Sequence, residues 1–294
     1  MKTKSTYKTY ADQYTKWCVK QSQDPLKAES LCDFIRDGLE VRNLSRSTLT
    51  SVIPSAVEDL FKFHNTSPTR DSPKLVSAMK KCIRRLTKPS VPKLPVLRKH
   101  LEAMANIAKL NLKETRDILI LVLMFAGLLR ESEVVALLAN DVWVVKAEKS
   151  DTMVLYMVVR KSKTDQYSEN ATVVVSGYPG SPICPVMLYF RYMALRRNSK
   201  LFFHQVPKES LEPLATTSPC HIIKAWLKRI NVDPTGYGSH SLRRGGATAA
   251  AAALVRFHVL KRHGRWKSDT VYLYIVDGPE EQLGVSQAVL GSFV

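Results

Sequence analysis

The chain has 294 residues, 45% of them hydrophobic and 24% charged; that excludes a chain too polar to fold and allows one large domain or two of ordinary size. Its 44 Lys+Arg against 26 Asp+Glu give a formal charge of +18 and a pI of about 9.7, a balance that favours a polyanionic partner such as nucleic acid. The longest apolar run, Ile118 to Leu129, is too short to span a bilayer, so no membrane partner is expected.

The positive charge is spread along the chain. Residues 1–88 carry 17 Lys+Arg and 9 Asp+Glu, leaving 27 and 17 for the remainder. A surface that wraps a duplex needs such a spread, because each neutralised phosphate releases counterion. Five cysteines (18, 32, 82, 184 and 220) are odd in number and form no CxxC pair, which suits reduced thiols in the cytoplasm or nucleus. The opening MKTKSTYKTY has no apolar stretch of the secretory kind.

In chain order, Thr6 to Lys20 places Tyr7, Tyr10, Tyr14, Trp17 and Cys18 at helical spacing. This aromatic stripe reads as core before it reads as a platform for stacking bases. Leu26 to Leu39 repeats the pattern. Ser47 precedes a predicted helix from about Thr48 to His64, and Pro73 could open another over Lys74 to Leu86. Residues 1–88 thus read as a small basic helical bundle. Prolines 89, 92 and 95 recur every third residue, fix φ and remove donors, so 89–95 reads as an extended linker.

After the linker, Val96 to Ala108 and Thr115 to Leu129 read as helices, with Asp117 in the first turn of the second. Met153 to Val159 and Thr172 to Val175 are β-branched runs around a polar loop, the pattern of a hairpin. Pro185 to Arg197, Pro219 to Ile230 and Ser241 to Arg256 read as further helices. Residues 96–294 are therefore expected to form a mostly helical domain with a small antiparallel sheet.

Three stretches carry chemistry. Gly127-Leu-Leu-Arg130-Glu-Ser-Glu133 follows the apolar helix; a forked guanidinium can bind two phosphate oxygens, and Glu133 is spaced to orient it. His240-Ser-Leu-Arg243 puts an imidazole and a guanidinium on one face of a helix start, with Arg244 turned away as a surface charge or phosphate contact. His263-Gly-Arg-Trp266 leads to Tyr272 and Tyr274, two candidate nucleophiles whose phenols stay protonated at neutral pH unless assisted. No HExxH and no acidic cluster of metal-ligand spacing stands out, so no metal or other cofactor is expected. The set suits attack by tyrosine on a phosphodiester, with fixed cations holding the extra charge.

The order Arg130 with Glu133, a lysine in a hairpin, HxxR, Trp and Tyr resembles the tyrosine recombinase, or phage integrase-like, family. GLLRESEV, SKTDQ, HSLRRGGAT and RWKSD…YLYI are most similar to its eukaryotic mobile-element branch, the Crypton- and DIRS-like recombinases. The resemblance covers the whole chain. It implies a helical core-binding domain over 1–88 and a catalytic domain over 96–294 with a C-terminal tail. It implies that Arg130, His240, Arg243 and Trp266 hold the scissile phosphate. Lys163, with Lys161 as the alternative, would protonate the departing 5′ oxygen. Tyr274, with Tyr272 as the alternative, would form a 3′-phosphotyrosyl link, and Glu133 would buttress Arg130 from behind. The implied partner is double-stranded DNA, engaged by a homotetramer at synapsis, with no small-molecule substrate. A type IB topoisomerase and a domesticated, non-catalytic DNA-binding protein remain as alternatives.

Overall fold

A computed structural model describes residues 2–89, 91–148, 151–160, 170–205 and 212–278, and positions 283, 284, 286, 287 and 289. Lys161, Lys163 and much of the C-terminal tail lie outside the described residues. The chain divides into two compact units, Met1–Pro92 and Lys93–Val294. Among the described residues, no helix is long and apolar enough to cross a membrane.

The first unit is helical: α1 (Lys2–Lys20), α2 (Ala28–Glu40), α3 (Ile53–Leu60), the single turn α4 (Pro68–Asp71) and α5 (Pro73–Leu86). The aromatic stripe of α1 is core. Tyr14 is fully buried edge-on to Phe34 at 5.3 Å between ring centroids, and its hydroxyl donates to the Pro25 carbonyl at 2.9 Å. The predicted helix from Thr48 to His64 begins earlier and stops sooner. Ser47 is itself helical and caps nothing; Ser45 Oγ accepts the Thr48 N–H instead. A π-turn over Thr48–Val52 then leads into α3 at Pro54. Proline has no N–H and its ring crowds the carbonyl one turn back, so a widened turn is where a helix accommodates it.

The second unit contains α6 (Arg98–Ile107), α7 (Leu112–Ala126), α8 (Glu131–Val135), α9 (Pro185–Leu195), α10 (Ser218–Arg229), α11 (Ser241–Ala252) and α12 (Phe257–His263). Its sheet is antiparallel in the order β1 (Val142–Lys146), β2 (Met153–Val159), β3 (Ala171–Ser176), with Trp143, Tyr156 and Val174 in register. Strand β1 was not expected from the sequence. The mainly helical fold with a small sheet is as expected. Lys93–Pro95 of the proline-rich stretch belongs to this unit: Leu94 N–H donates to the Gly236 carbonyl and Val96 N–H to that of Ser241, both at 2.9 Å.

Helix α7 is the axis of the core, with every residue from Thr115 to Met124 buried. Asn111 caps it by accepting the Glu114 N–H at 2.9 Å, so it starts three residues before the expected Thr115. Asp117 consequently sits beyond the first turn. It is buried against Arg116 at 2.6 Å, so it does not serve as the first-turn anion that the helix dipole would favour. Helix α11 ends at Ala252, short of the expected Arg256, where Leu254 takes φ 55° and reverses the chain.

Helix α11 lies against α7 because Gly246 permits it. A Cβ there would collide with the Phe125 carbonyl and lie 2.6 Å from a Leu128 methyl. Gly246→Ala is expected to lose about 1–3 kcal/mol through overpacking. Urea unfolding measures this, and wild-type stability in the variant would contradict the close packing.

Candidate active site

The C-terminal end of α7 organises the site. A helix end leaves its last carbonyls without intrahelical donors and carries partial negative charge. Here side chains supply the donors. His263 Nε2 lies 2.8 Å from the Ala126 carbonyl, Arg265 donates to the carbonyls of Gly127 (3.3 Å) and Leu128 (3.1 Å), and Arg243 Nη1 also donates to Leu128. Leu128 itself takes φ 49°, turning the chain sharply before Arg130 caps α8.

Arg130 and Glu133 pair as the spacing predicts. Glu133 Oε1 accepts from the Arg130 guanidinium at 2.6 Å, and Oε2 accepts the Arg130 backbone N–H at 2.8 Å. Glu133 is buried, and its Oε2 also accepts from Arg265 Nη2 at 2.8 Å. Burial pushes its carboxyl up, but Arg265, the Arg130 N–H and the Arg130 guanidinium together hold it below the usual carboxylate range.

Arg243, in the first turn of α11, is the largest fully buried side chain. Its Nη2 donates to the Gly264 carbonyl at 2.5 Å, and its guanidinium lies 4.1 Å from the Trp266 ring centroid and 5.5 Å from that of Tyr274. Its Nε is buried with no hydrogen-bond partner among the described residues. Burial, then repulsion by Arg130 and Arg265, pushes its guanidinium down to about 9. It remains charged at neutral pH, where an anion would relieve the same repulsion.

The indole of Trp266 fits against Gly264, where a Cβ would overlap the ring. Tyr274 ends a 3₁₀ turn (Asp269–Tyr274) and packs on that indole at 5.3 Å between centroids. Its Oη and His240 Nδ1 lie 3.2 Å apart. Thr248 of α11 fixes the segment leaving this turn: its hydroxyl donates to the Tyr274 carbonyl at 3.3 Å and accepts the Val276 N–H at 3.1 Å.

Five of the predicted side chains, with Glu133 behind them, therefore come together: Arg130, His240, Arg243, Trp266 and Tyr274. Tyr272 does not join them. It is exposed and stacks on Phe257 at 4.2 Å. Arg244 is half-buried; its Nη1 donates to the Leu273 carbonyl at 3.0 Å and braces the 3₁₀ turn. The hairpin residue preceding the lysines, Arg160, pairs with buried Asp141 at 2.6 Å, and β3 resumes at Ala171. Sequence reasoning missed Arg265 and Thr248. Arg265 had one signal, a third arginine in a row of site residues just before Trp266. Thr248 had none beyond lying one helical turn after Arg244.

A phenol, an imidazole, an indole and guanidiniums gathered in this way can hold an oxyanion and attack it. Solved structures share the architecture. XerH, a site-specific recombinase bound to palindromic difH substrate in a post-cleavage complex, superposes with a TM-score of 0.62 at 13% identity, over 90% of this chain and 71% of that one. The Tn1549 transposon integrase in complex with circular intermediate DNA gives 0.56 at 14%, over 96% and 98%. A lambda integrase dimer bound to a COC′ core site gives 0.59 at 12%, over 93% and 77%. The fold is that of the tyrosine recombinases. In sequence, an integrase/recombinase xerD homolog of Selenomonas ruminantium is 26% identical over 293 residues, covering 94% of this chain and 83% of that protein. No protein-family model matches the chain. Recombinases and integrases thus stand among both the sequence relatives and the structural neighbours of this chain.

Proposed function

We propose that this chain is a site-specific DNA recombinase that cleaves and rejoins strands through a covalent link to Tyr274. The observation that carries the proposal is the Tyr274 Oη, 3.2 Å from His240 Nδ1, beside Trp266 and Arg243. The resemblance of the whole motif set, and the recombinases among the structural neighbours, support it.

In the proposed reaction the Tyr274 oxygen attacks phosphorus and its proton passes to His240 Nδ1, which must be the bare nitrogen of the neutral ring. The bond from phosphorus to the 5′ oxygen breaks, and Lys163 supplies the proton that makes the leaving 5′ hydroxyl. Arg130 and Arg243 balance the charge that gathers on the non-bridging oxygens. The phosphodiester bond energy stays in the 3′-phosphotyrosyl link, so a 5′ hydroxyl of another strand reverses the steps with neither ATP nor metal. Residues 1–88 act as the second DNA-binding domain, and strand exchange takes place in a homotetramer. The RWKSD and HSLRRGG motifs favour a mobile-element origin within the family.

A random duplex library finds the target and tests the chemistry together. Selecting bound and cleaved duplexes from it, then offering the selected site as a nicked suicide substrate, should yield a protein–DNA adduct that survives denaturation. Failure to form one on a tightly bound selected site would favour the non-catalytic DNA-binding alternative; relaxation of supercoils without recombinant product would favour the topoisomerase. The net charge of +18 yields a further expectation. If about 6–10 phosphates are contacted, affinity falls on the order of 10³–10⁵ between 50 and 200 mM salt. Salt-insensitive binding would contradict a clamp built on backbone contacts.

A further inference from the structure

We infer that Arg265 is a positioning residue that acts through Glu133 to aim Arg130 and to leave its charge available for the phosphate. The inference rests on the function proposed above.

The geometry divides the carboxylate between two jobs. Oε2 of Glu133 is taken by Arg265 Nη2 at 2.8 Å and by the Arg130 N–H at 2.8 Å, so the plane of the carboxylate is fixed from behind. Oε1 is left to face the Arg130 guanidinium at 2.6 Å. Helix α8, with five residues, is too short to hold Glu133 rigid by its own hydrogen bonds.

Charge points the same way. A buried Glu133 paired with Arg130 alone would be neutral, and Arg130 would have little net attraction left for an anion. With Arg265 as the second cation, two guanidiniums share one carboxylate and a unit of positive charge remains on the group. Only the fork of arginine meets this set of acceptors at once: Glu133, Gly127, Leu128 and the His263 carbonyl at 3.0 Å. The residue takes φ 58° to do so, a conformation that a non-glycine residue holds only where its surroundings fix it.

Arg265→Gln and Arg265→Lys test the inference, the lysine variant keeping the charge should the glutamine variant fail to fold. Single-turnover adduct formation on nicked DNA is expected to slow roughly 10–100-fold, the scale of a small misplacement of a catalytic group, with DNA affinity little changed. In an Arg130→Ala background the same changes should cost little more, because both act at one site. The Glu133 carboxyl, followed by carbon NMR, should titrate higher in Arg265→Gln than in the wild type. Absence of adduct from the wild-type protein would defeat the proposed function. Wild-type rates in Arg265→Lys and Arg265→Gln, a loss that multiplies with that of Arg130→Ala, or an unmoved Glu133 titration would overturn this inference and leave that function standing.

Discussion

Tyr274→Phe is expected to bind its DNA as the wild type does and to form no covalent adduct. The change removes one oxygen and leaves the ring in place on Trp266 and near the Arg243 guanidinium. The packing that seats the ring is therefore kept, as is the Thr248 grip on its backbone. Only the hydrogen bond toward His240 disappears. It lies at an exposed position and contributes at most the roughly 0.5–1.5 kcal/mol of an ordinary bond. Chemistry should fall far more, because Tyr274 is the phenol that packs on Trp266 and lies beside Arg243 and His240. Loss of a covalent nucleophile can cost on the order of 10⁶ in rate. Tyr272→Phe is the matched control. Its ring stacks on Phe257, and loss of its hydroxyl should leave adduct formation near the wild-type level. Adduct from Tyr274→Phe, or its disappearance in Tyr272→Phe alone, would move the nucleophile to the other residue. Mass spectrometry of the peptide carrying the nucleotide reads this directly.

The residues that sequence reasoning found and those it missed differ in physical kind. Arg130, His240, Arg243, Trp266 and Tyr274 stand in short motifs whose order along the chain carries the information. Helix α7 is legible from its apolar run, and the β2–β3 hairpin from two β-branched stretches. What escaped depends on partners far along the chain. Strand β1 exists because Val142–Lys146 finds β2, and its exposed Trp143 gives no simple alternation. The start of α7 is set by the side chain of Asn111, not by its apolar content. Arg265 lies more than a hundred residues from Glu133, and nothing local marks it as the second half of a buried ion cluster. Helical phase alone turns Arg244 away from the site, as a surface charge or phosphate contact. Its use, bracing a turn that begins 25 residues later, exists only in the folded chain.

Arg130→Ala and Arg243→Lys should each slow adduct formation by roughly 10²–10³, the loss that follows removal of one preorganised donor to a developing oxyanion. They should differ in what else they do. Arg130 keeps 16% of its side chain exposed, so truncation opens the site to water with little effect on the core; the partner left behind, Glu133, still has Arg265. Stability should drop modestly. Arg243 is buried, lies over Trp266 and serves the carbonyls of Leu128 and Gly264. Leu128 would retain Arg265 as donor, but Gly264 has no second donor among the described residues. Full truncation at 243 would therefore leave a cavity and an unpaired buried carbonyl, the latter alone costing about 1–3 kcal/mol. Lysine keeps the charge and most of the volume while losing the fork, which makes it the cleaner probe. The discriminating measurement is the ratio of rate loss to stability loss, from single-turnover cleavage and urea unfolding of the same preparations. A large ratio for Arg130→Ala and a smaller one for Arg243→Lys fits two guanidiniums that both meet the phosphate while only one also holds the fold. A rate loss below tenfold at either position, in a protein that still unfolds cooperatively, would remove that guanidinium from the chemistry and leave it as a cap on the end of α7.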